Sequence, residues 1–206
     1  MQNEMGQTHT NMHTGNVTPQ LNHGAHEVLD GQEVLSGAIT AMDQYTMLQG
    51  QVKDEELRDI LGRQLQFMQQ EYNTTLDCFQ SGKDPAVPTK SYKMTQGNDF
   101  VYGLTQAPPK APIQSATAIN DEAISFMALN AVKGIATMKT KAALECTNPV
   151  VRRVLADSIP NCIEMAYELS IYQNKHHYYQ VPQLAKNDTM QIAQSFAPAT
   201  GGPTTH

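Results

Sequence analysis

The chain has no tryptophan, only three cysteines and little charge: Asp, Glu, Lys and Arg make up 17% of its 206 residues, against roughly a quarter in an average soluble domain. Each shortage excludes something. Cys78, Cys146 and Cys162 are odd in number and scattered, with no CxxC spacing. That removes a disulfide framework and a thiolate metal knuckle, and the three read as small buried apolar residues in a reducing compartment. No Lys/Arg cluster exceeds two adjacent residues and the net charge is −6, which argues against a nucleic-acid partner. No apolar run approaches the ~20 residues that span a bilayer, so membrane insertion is not expected. The polar stretch Met1 to Thr18 lacks the basic-then-apolar order of a secretion signal, so synthesis and retention in the cytosol are expected. No Ser/His/Asp arrangement, phosphate-cradling Gly-rich loop or dinucleotide fingerprint is present.

Amides stand where charge is missing. Gln64, Gln66, Gln69 and Gln70 form one cluster, read as part of a weakly self-repelling surface that favours packing into assemblies.

The strongest positive signal is an internal echo. Asp54-Glu55-Glu56-Leu57-Arg58-Asp59-Ile60-Leu61 recurs in pattern as Asn148-Pro149-Val150-Val151-Arg152-Arg153-Val154-Leu155, 94 residues later; Leu65 then falls on Ile159 and Met68 on Cys162. Each copy opens a long helical run that follows another helical run. The pattern predicts an all-α fold: a ferritin-like four-helix bundle of two αα-hairpins joined by a long Pro-rich crossover.

Residues 1–20 read as a disordered arm, 21–183 as the bundle and 184–206 as a flexible tail. The first helix is expected from about Ala25 to Gln49 with Val28, Leu35, Ala38, Ile39, Met42 and Thr46 on its apolar face. Asp54 should cap the second, which runs to about Gln80 before Ser81-Gly82 ends it. The third should start at Asn120 or Asp121 and run to about Cys146. Asn148 with Pro149 should open the fourth, which reaches about Tyr178 or Tyr179 and carries Pro160 on its outer side. The crossover, about 83–118, contains Pro85, Pro88, Pro108, Pro109 and Pro112 and cannot be helical throughout. It is long enough to travel the bundle end to end, with Tyr92, Phe100, Val101, Tyr102 and Leu104 packing as it passes. Helices one and four would then be parallel.

Bundles of this kind often hold paired metals, bound by a carboxylate from each of two helices and a Glu-x-x-His from each of the others. Glu71-Tyr72-Asn73-Thr74 and Glu164-Met165-Ala166-Tyr167 lie in the right helices, but both lack the histidine. At 100° per residue, Glu164 points away from the stripe through Cys162 and Ala166; Glu71 and Asp43 are flank residues and Glu33 faces out. The third helix offers Lys133, Lys139 and Lys141 and no acid at its middle. No catalytic residue, metal site or cofactor is therefore expected. His23-x-x-His26 could bind a surface metal, but two ligands without a third make a weak site. His176 and His177, with Lys175, read as favourable charge at a helix C-terminus. Tyr178 and Tyr179 read as packing against the bundle end, or else as an exposed contact surface.

Several longer stretches carry a resemblance. Leu21-Asn22-His23-Gly24-Ala25-His26-Glu27 leading into Gln32-Glu33-Val34-Leu35-Ser36-Gly37, then Asp43-Gln44-Tyr45, Gln66-Phe67-Met68-Gln69-Gln70-Glu71-Tyr72-Asn73 and Pro88-Thr89-Lys90-Ser91-Tyr92, resemble the coat-F family of bacterial spore coat proteins. The longest match runs from Thr147 to Asn161, continuing through Glu164-Met165-Ala166-Tyr167-Glu168 to Tyr172-Gln173-Asn174-Lys175-His176. The resemblance covers about residues 20–185. It implies a ferritin-like bundle without a recognised metal centre, made in Bacillus-type endospore formers, and a structural component of the spore coat. Its implied partners are other spore coat proteins, with self-association a further option. It supplies no catalytic residue. The rival reading is a divergent ferritin-like di-metal (iron or manganese) oxidase or catalase.

Overall fold

A computed structural model describes residues 23–199; the arm expected over 1–20 lies outside them. Four long helices dominate: α1 (Ala25–Gln49), α2 (Glu55–Ser81), α3 (Asp121–Glu145) and α4 (Pro149–Lys175). The echo carries through to the bounds, because α2 and α4 are both 27 residues long and start 94 positions apart. Their first turns are closed by the same device. Asp54 accepts a hydrogen bond from the Leu57 N–H, and Asn148 accepts one from Val151, its counterpart 94 residues on, as well as from Val150. Both caps satisfy N–H groups that have no partner inside the helix. Gly82 ends α2 in the left-handed conformation, φ 64°, which glycine adopts without Cβ strain.

Contacts at the two ends fix the topology. At one end His23 reaches the Phe79 carbonyl, Glu27 binds Thr147 and Asn148, and the Asn148 amide reaches Gly82. This end therefore gathers the start of α1, the end of α2 and the start of α4. At the other, Asp121 accepts from the Lys53 and Asp54 N–H groups, and Lys175 pairs with Glu56. Residues 83–118 travel from the first end to the second with one 3₁₀ turn (Ala116–Ala118), so α1 and α4 are parallel. They are also diagonal: α1 packs on α2 and α3, and so does α4.

The core is continuous along the bundle. Tyr45, Leu57, Ile60, Leu61, Ile124, Leu169 and Tyr172 are fully buried in the larger cluster; Val34, Cys78, Ala142, Val151 and Leu155 form the smaller one. Fully burying one such aliphatic side chain contributes about 1.5–3 kcal/mol. Close approach of α1 and α2 depends on Gly31, where an added Cβ would sit 2.4 Å from the Phe79 ring.

Two expectations about faces are corrected. The inner face of α1 runs through Glu27, Asp30, Gly31, Val34, Ala41, Tyr45 and Leu48, while Val28 and Ile39 are exposed at 42% and 43%. The apolar stripe read from sequence is a flank, because two acids occupy the true inner line. Gln64, expected among surface amides, is fully buried. Of the crossover side chains, Tyr92 is buried and Phe100 packs on Tyr167, but Val101, Tyr102 and Leu104 are exposed. Helix α4 ends at Lys175, with His177 leaving it at φ 58°. A short fifth helix, α5 (Lys186–Gln194), lies within the segment read as tail and buries none of its residues.

The three cysteines are free thiols. Burial pushes Cys78 and Cys146 up to about 12 and Cys162 to about 11, leaving almost no thiolate at neutral pH. A thiol-specific chromogenic disulfide should therefore label the folded protein slowly at all three positions and label all three promptly in denaturant. Fast labelling of one thiol in the folded state would contradict this suppression by burial.

Candidate functional site

The middle of the bundle is where a ferritin-like fold would keep its chemistry, and the structure turns two carboxylates into it. This corrects the wheel-based expectation for Glu71. From α2, Glu71 accepts from the Lys139 ammonium of α3 and from the Asn161 amide of α4 at 2.8 Å. Lys139 is 4% exposed and its Nζ also lies 3.7 Å from Cys162 Sγ. Burial opposes the ammonium, but the Glu71 charge outweighs it and Lys139 sits above the usual lysine range. A cavity of about 20 Å³ adjoins them, lined by Val34, Met68, Val132 and Met165, with room for about one water.

Glu168 is the second inward carboxylate, and the sequence reading passed over it. It is fully buried on α4. One oxygen accepts from Arg63 at 2.9 Å and from the Thr95 N–H at 3.2 Å; the other accepts from Gln64 at 2.9 Å and Tyr92 at 2.5 Å. Gln64 in turn accepts from Tyr45 at 2.8 Å. The signal was present: Leu155, Ser158, Cys162, Met165, Glu168 and Tyr172 continue one three-and-four spacing.

Glu27 plays the same part at the bundle end. One of its oxygens caps the turn between α3 and α4, accepting from Thr147 N–H and hydroxyl and from Asn148 N–H at 2.6–3.0 Å, while His23 holds the other at 2.7 Å. Burial works against its charge, yet these hydrogen bonds win and keep its carboxyl below the ordinary 4.5. A carboxylate with a depressed folded value stabilises fully above the unfolded value and loses that contribution as pH falls through the folded one. The urea midpoint should therefore fall as pH drops below about 4.5. Glu27→Gln, less stable at pH 7, should show a shallower fall; parallel profiles for the two proteins would remove Glu27 from the explanation.

The crossover is held to α4 by polar side chains spread along that helix. Thr89 donates to Asp157, Asn161 accepts from Tyr92 N–H and donates to the Lys90 carbonyl, and Asn174 makes the matching pair of bonds with Val101. These bonds satisfy extended backbone that has no sheet to pair with.

A two-metal centre does not fit this donor set. Glu71 and Glu168 are already bonded to the cations Lys139 and Arg63, and Asn161, beside Glu71, precedes Glu168 by seven residues, about 10 Å of helix. Bridged metals sit about 3.5–4 Å apart. The histidines of the described residues all lie at the bundle ends. His23 has both ring nitrogens engaged, to Glu27 and the Phe79 carbonyl, whereas the His26 side chain is 87% exposed beside Glu145. The two do not converge on one point. His176 lies at the opposite end, beside Asp54 and Glu56.

The arrangement defines a class: a helical bundle with one long crossover, whose inward acids tie structural elements together. Comparison with known proteins narrows it. Residues 120–182 match the family model described as the Coat F domain. The chain is 50% identical over 178 residues to the spore coat protein F-like protein YhcQ of Bacillus subtilis (strain 168), covering 86% of this chain and 82% of that one. No solved structure matches. The chain belongs to the coat F family.

Proposed function

We propose that the protein is a structural component of the bacterial spore coat that acts by contact with other coat proteins and carries no catalytic or metal centre in its bundle core. The observation that carries this reading is the use made of its inward acids. Glu27, Asp30, Glu71, Asp157 and Glu168 each bind another part of the fold: Thr147, Lys141, Lys139, Thr89 and Arg63 respectively. A carboxylate consumed in this way is poorly placed to serve as a general base or metal ligand. Family membership and the coat F-like relative support the coat assignment. Among the described residues, no helix is long and apolar enough to cross a membrane.

Contact surfaces follow from exposure. Tyr102 and Tyr179 are 60% and 51% exposed, whereas Tyr45, Tyr92 and Tyr172 are buried. Any tyrosine cross-linking into the coat should fall on the first two.

Fractionation of spores and vegetative cells, followed by immunodetection of this chain, tests the reading. Recovery in the alkali- or detergent-extracted coat fraction is expected. Confinement to the vegetative cytosol, or oxidation of Fe²⁺ or turnover of peroxide by the purified protein, would overturn it.

A further inference from the structure

At the end of the bundle away from His23, three potential ligands converge. Asp54 caps α2, Glu56 lies in its first turn and His176 caps the end of α4; their ligand atoms all lie within 4.8 Å of one another. Proximity of charge at a helix start is common and proves little. A buried ring nitrogen without a hydrogen-bond partner gives the place its meaning.

His176 Nε2 is sealed from solvent and has no hydrogen-bond partner. Its ring is held between Tyr172, at 4.4 Å, and Tyr178, stacked at 5.5 Å. Tyr172 is 0% exposed and its hydroxyl has no hydrogen bond of ordinary geometry; its neighbouring phenol is Tyr178, whose ring meets it edge to face at 6.2 Å. Burial pushes the Tyr172 phenol up, and the charges of Asp54, Asp121 and Glu56 push it further. A buried donor or acceptor left unmade is costly, and His176 Nε2 is one, on a ring that offers a ligand atom within 4.8 Å of two carboxylates.

The hydrogen bonds around the acids show which of them can contribute. Asp121 has both oxygens occupied by the Lys53 and Asp54 N–H groups. Asp54 uses Oδ1 on Leu57 N–H, and Glu56 uses Oε2 on the Lys175 ammonium. Each of these two retains an oxygen. The start of α2 opposes a cation and the end of α4 favours one, so the dipoles roughly cancel.

We infer that Asp54, Glu56 and His176 form a binding site for a transition-metal dication, Zn²⁺ foremost, that clips the start of α2 to the end of α4. One imidazole and two carboxylates suit Zn²⁺ and its first-row neighbours; the imidazole disfavours Ca²⁺ and Mg²⁺, which take oxygen ligands. Lys175, 60% exposed at its side chain, releases Glu56 readily, since such surface pairs are weak.

The test uses the full chain stripped with chelator and titrated with Zn²⁺, with bound metal read by equilibrium dialysis and stability by thermal melting. One Zn²⁺ per chain is expected, with Tm raised by about 5 °C at ~100-fold excess over Kd. His176→Gln and Glu56→Gln should each weaken binding at least about tenfold. Asp54→Asn should do so while keeping the cap, because Asn caps as well as Asp. Glu56 is a partly exposed first-turn residue, so Glu56→Gln remains informative if the histidine variant folds poorly. His26→Gln, at the other end, should change nothing. Binding well below one ion per chain, or full binding retained by a folded His176→Gln/Glu56→Gln double variant, overturns the site.

Discussion

Glu71→Leu should destabilise the protein by about 3–5 kcal/mol, the usual cost of leaving one member of a buried ion pair without its partner. The physical reason is Lys139. Its ammonium is 4% exposed and would retain only Cys162 Sγ, 3.7 Å away and itself a protonated thiol. At about 2–4 °C per kcal/mol for a chain of this size, Tm should fall by roughly 10 °C. Glu71→Leu combined with Lys139→Met should return stability to within about 1 kcal/mol of the parent, because replacing both ions by apolar groups of similar volume is often neutral or favourable. The Asn161 amide would lose Glu71 but keep the Lys90 carbonyl, so the double variant leaves no group stranded. Urea titration of the parent, both singles and the double closes the cycle. If the double is as unstable as Glu71→Leu alone, the pair is not a self-contained internal tie.

Glu168→Ala should cost a similar amount, about 3–5 kcal/mol, and its effect should be local as well as global. Four donors lose Glu168: Arg63 (which keeps Asp59), Gln64 (which keeps the Met165 carbonyl), Tyr92 and the Thr95 N–H. Arg63, with 26% side-chain exposure, can turn to water, whereas Gln64 and Tyr92 cannot. Since Tyr92 and Thr95 belong to the crossover, native-state hydrogen exchange should show reduced protection over residues 89–101 in this variant. Tyr92→Phe removes one hydroxyl and should cost only about 1 kcal/mol. A Glu168→Ala protein with unchanged crossover protection would mean that apolar packing, and not this carboxylate, holds the segment down.

How much of this was legible depended on whether a feature is local. The starts of α2 and α4 and the end of α2 follow from Asp54, Asn148-Pro149 and Gly82, all signals within a few residues of what they determine, and the end-to-end crossover follows from its length; the end of α4 at Lys175, short of the expected Tyr178 or Tyr179, carries no such local mark. The face of α1 was misjudged because hydropathy counts apolar residues. Glu27 and Asp30 lie on the inner line and are tolerated there only through Thr147, Asn148 and Lys141, more than 100 residues away. Gln64 and Glu71 were misplaced for the same reason. Their burial is made acceptable by Tyr45, Glu168, Lys139 and Asn161, partners that no window along α2 contains. Only the pairing of one helix with another shows that a polar residue at a core position has its hydrogen bonds satisfied.

The central claim is that the inward acids of the bundle are structural ties and not metal ligands. Anomalous-difference maps from crystals soaked in Fe²⁺ without oxygen, and separately in Mn²⁺, test it most directly because they locate each ion. No peak is expected among Glu71, Lys139, Asn161, Arg63 and Glu168, whatever binds beside His176. A peak coordinated by Glu71 or Glu168, with Lys139 or Arg63 displaced, would contradict the account and return the di-metal oxidase reading to first place.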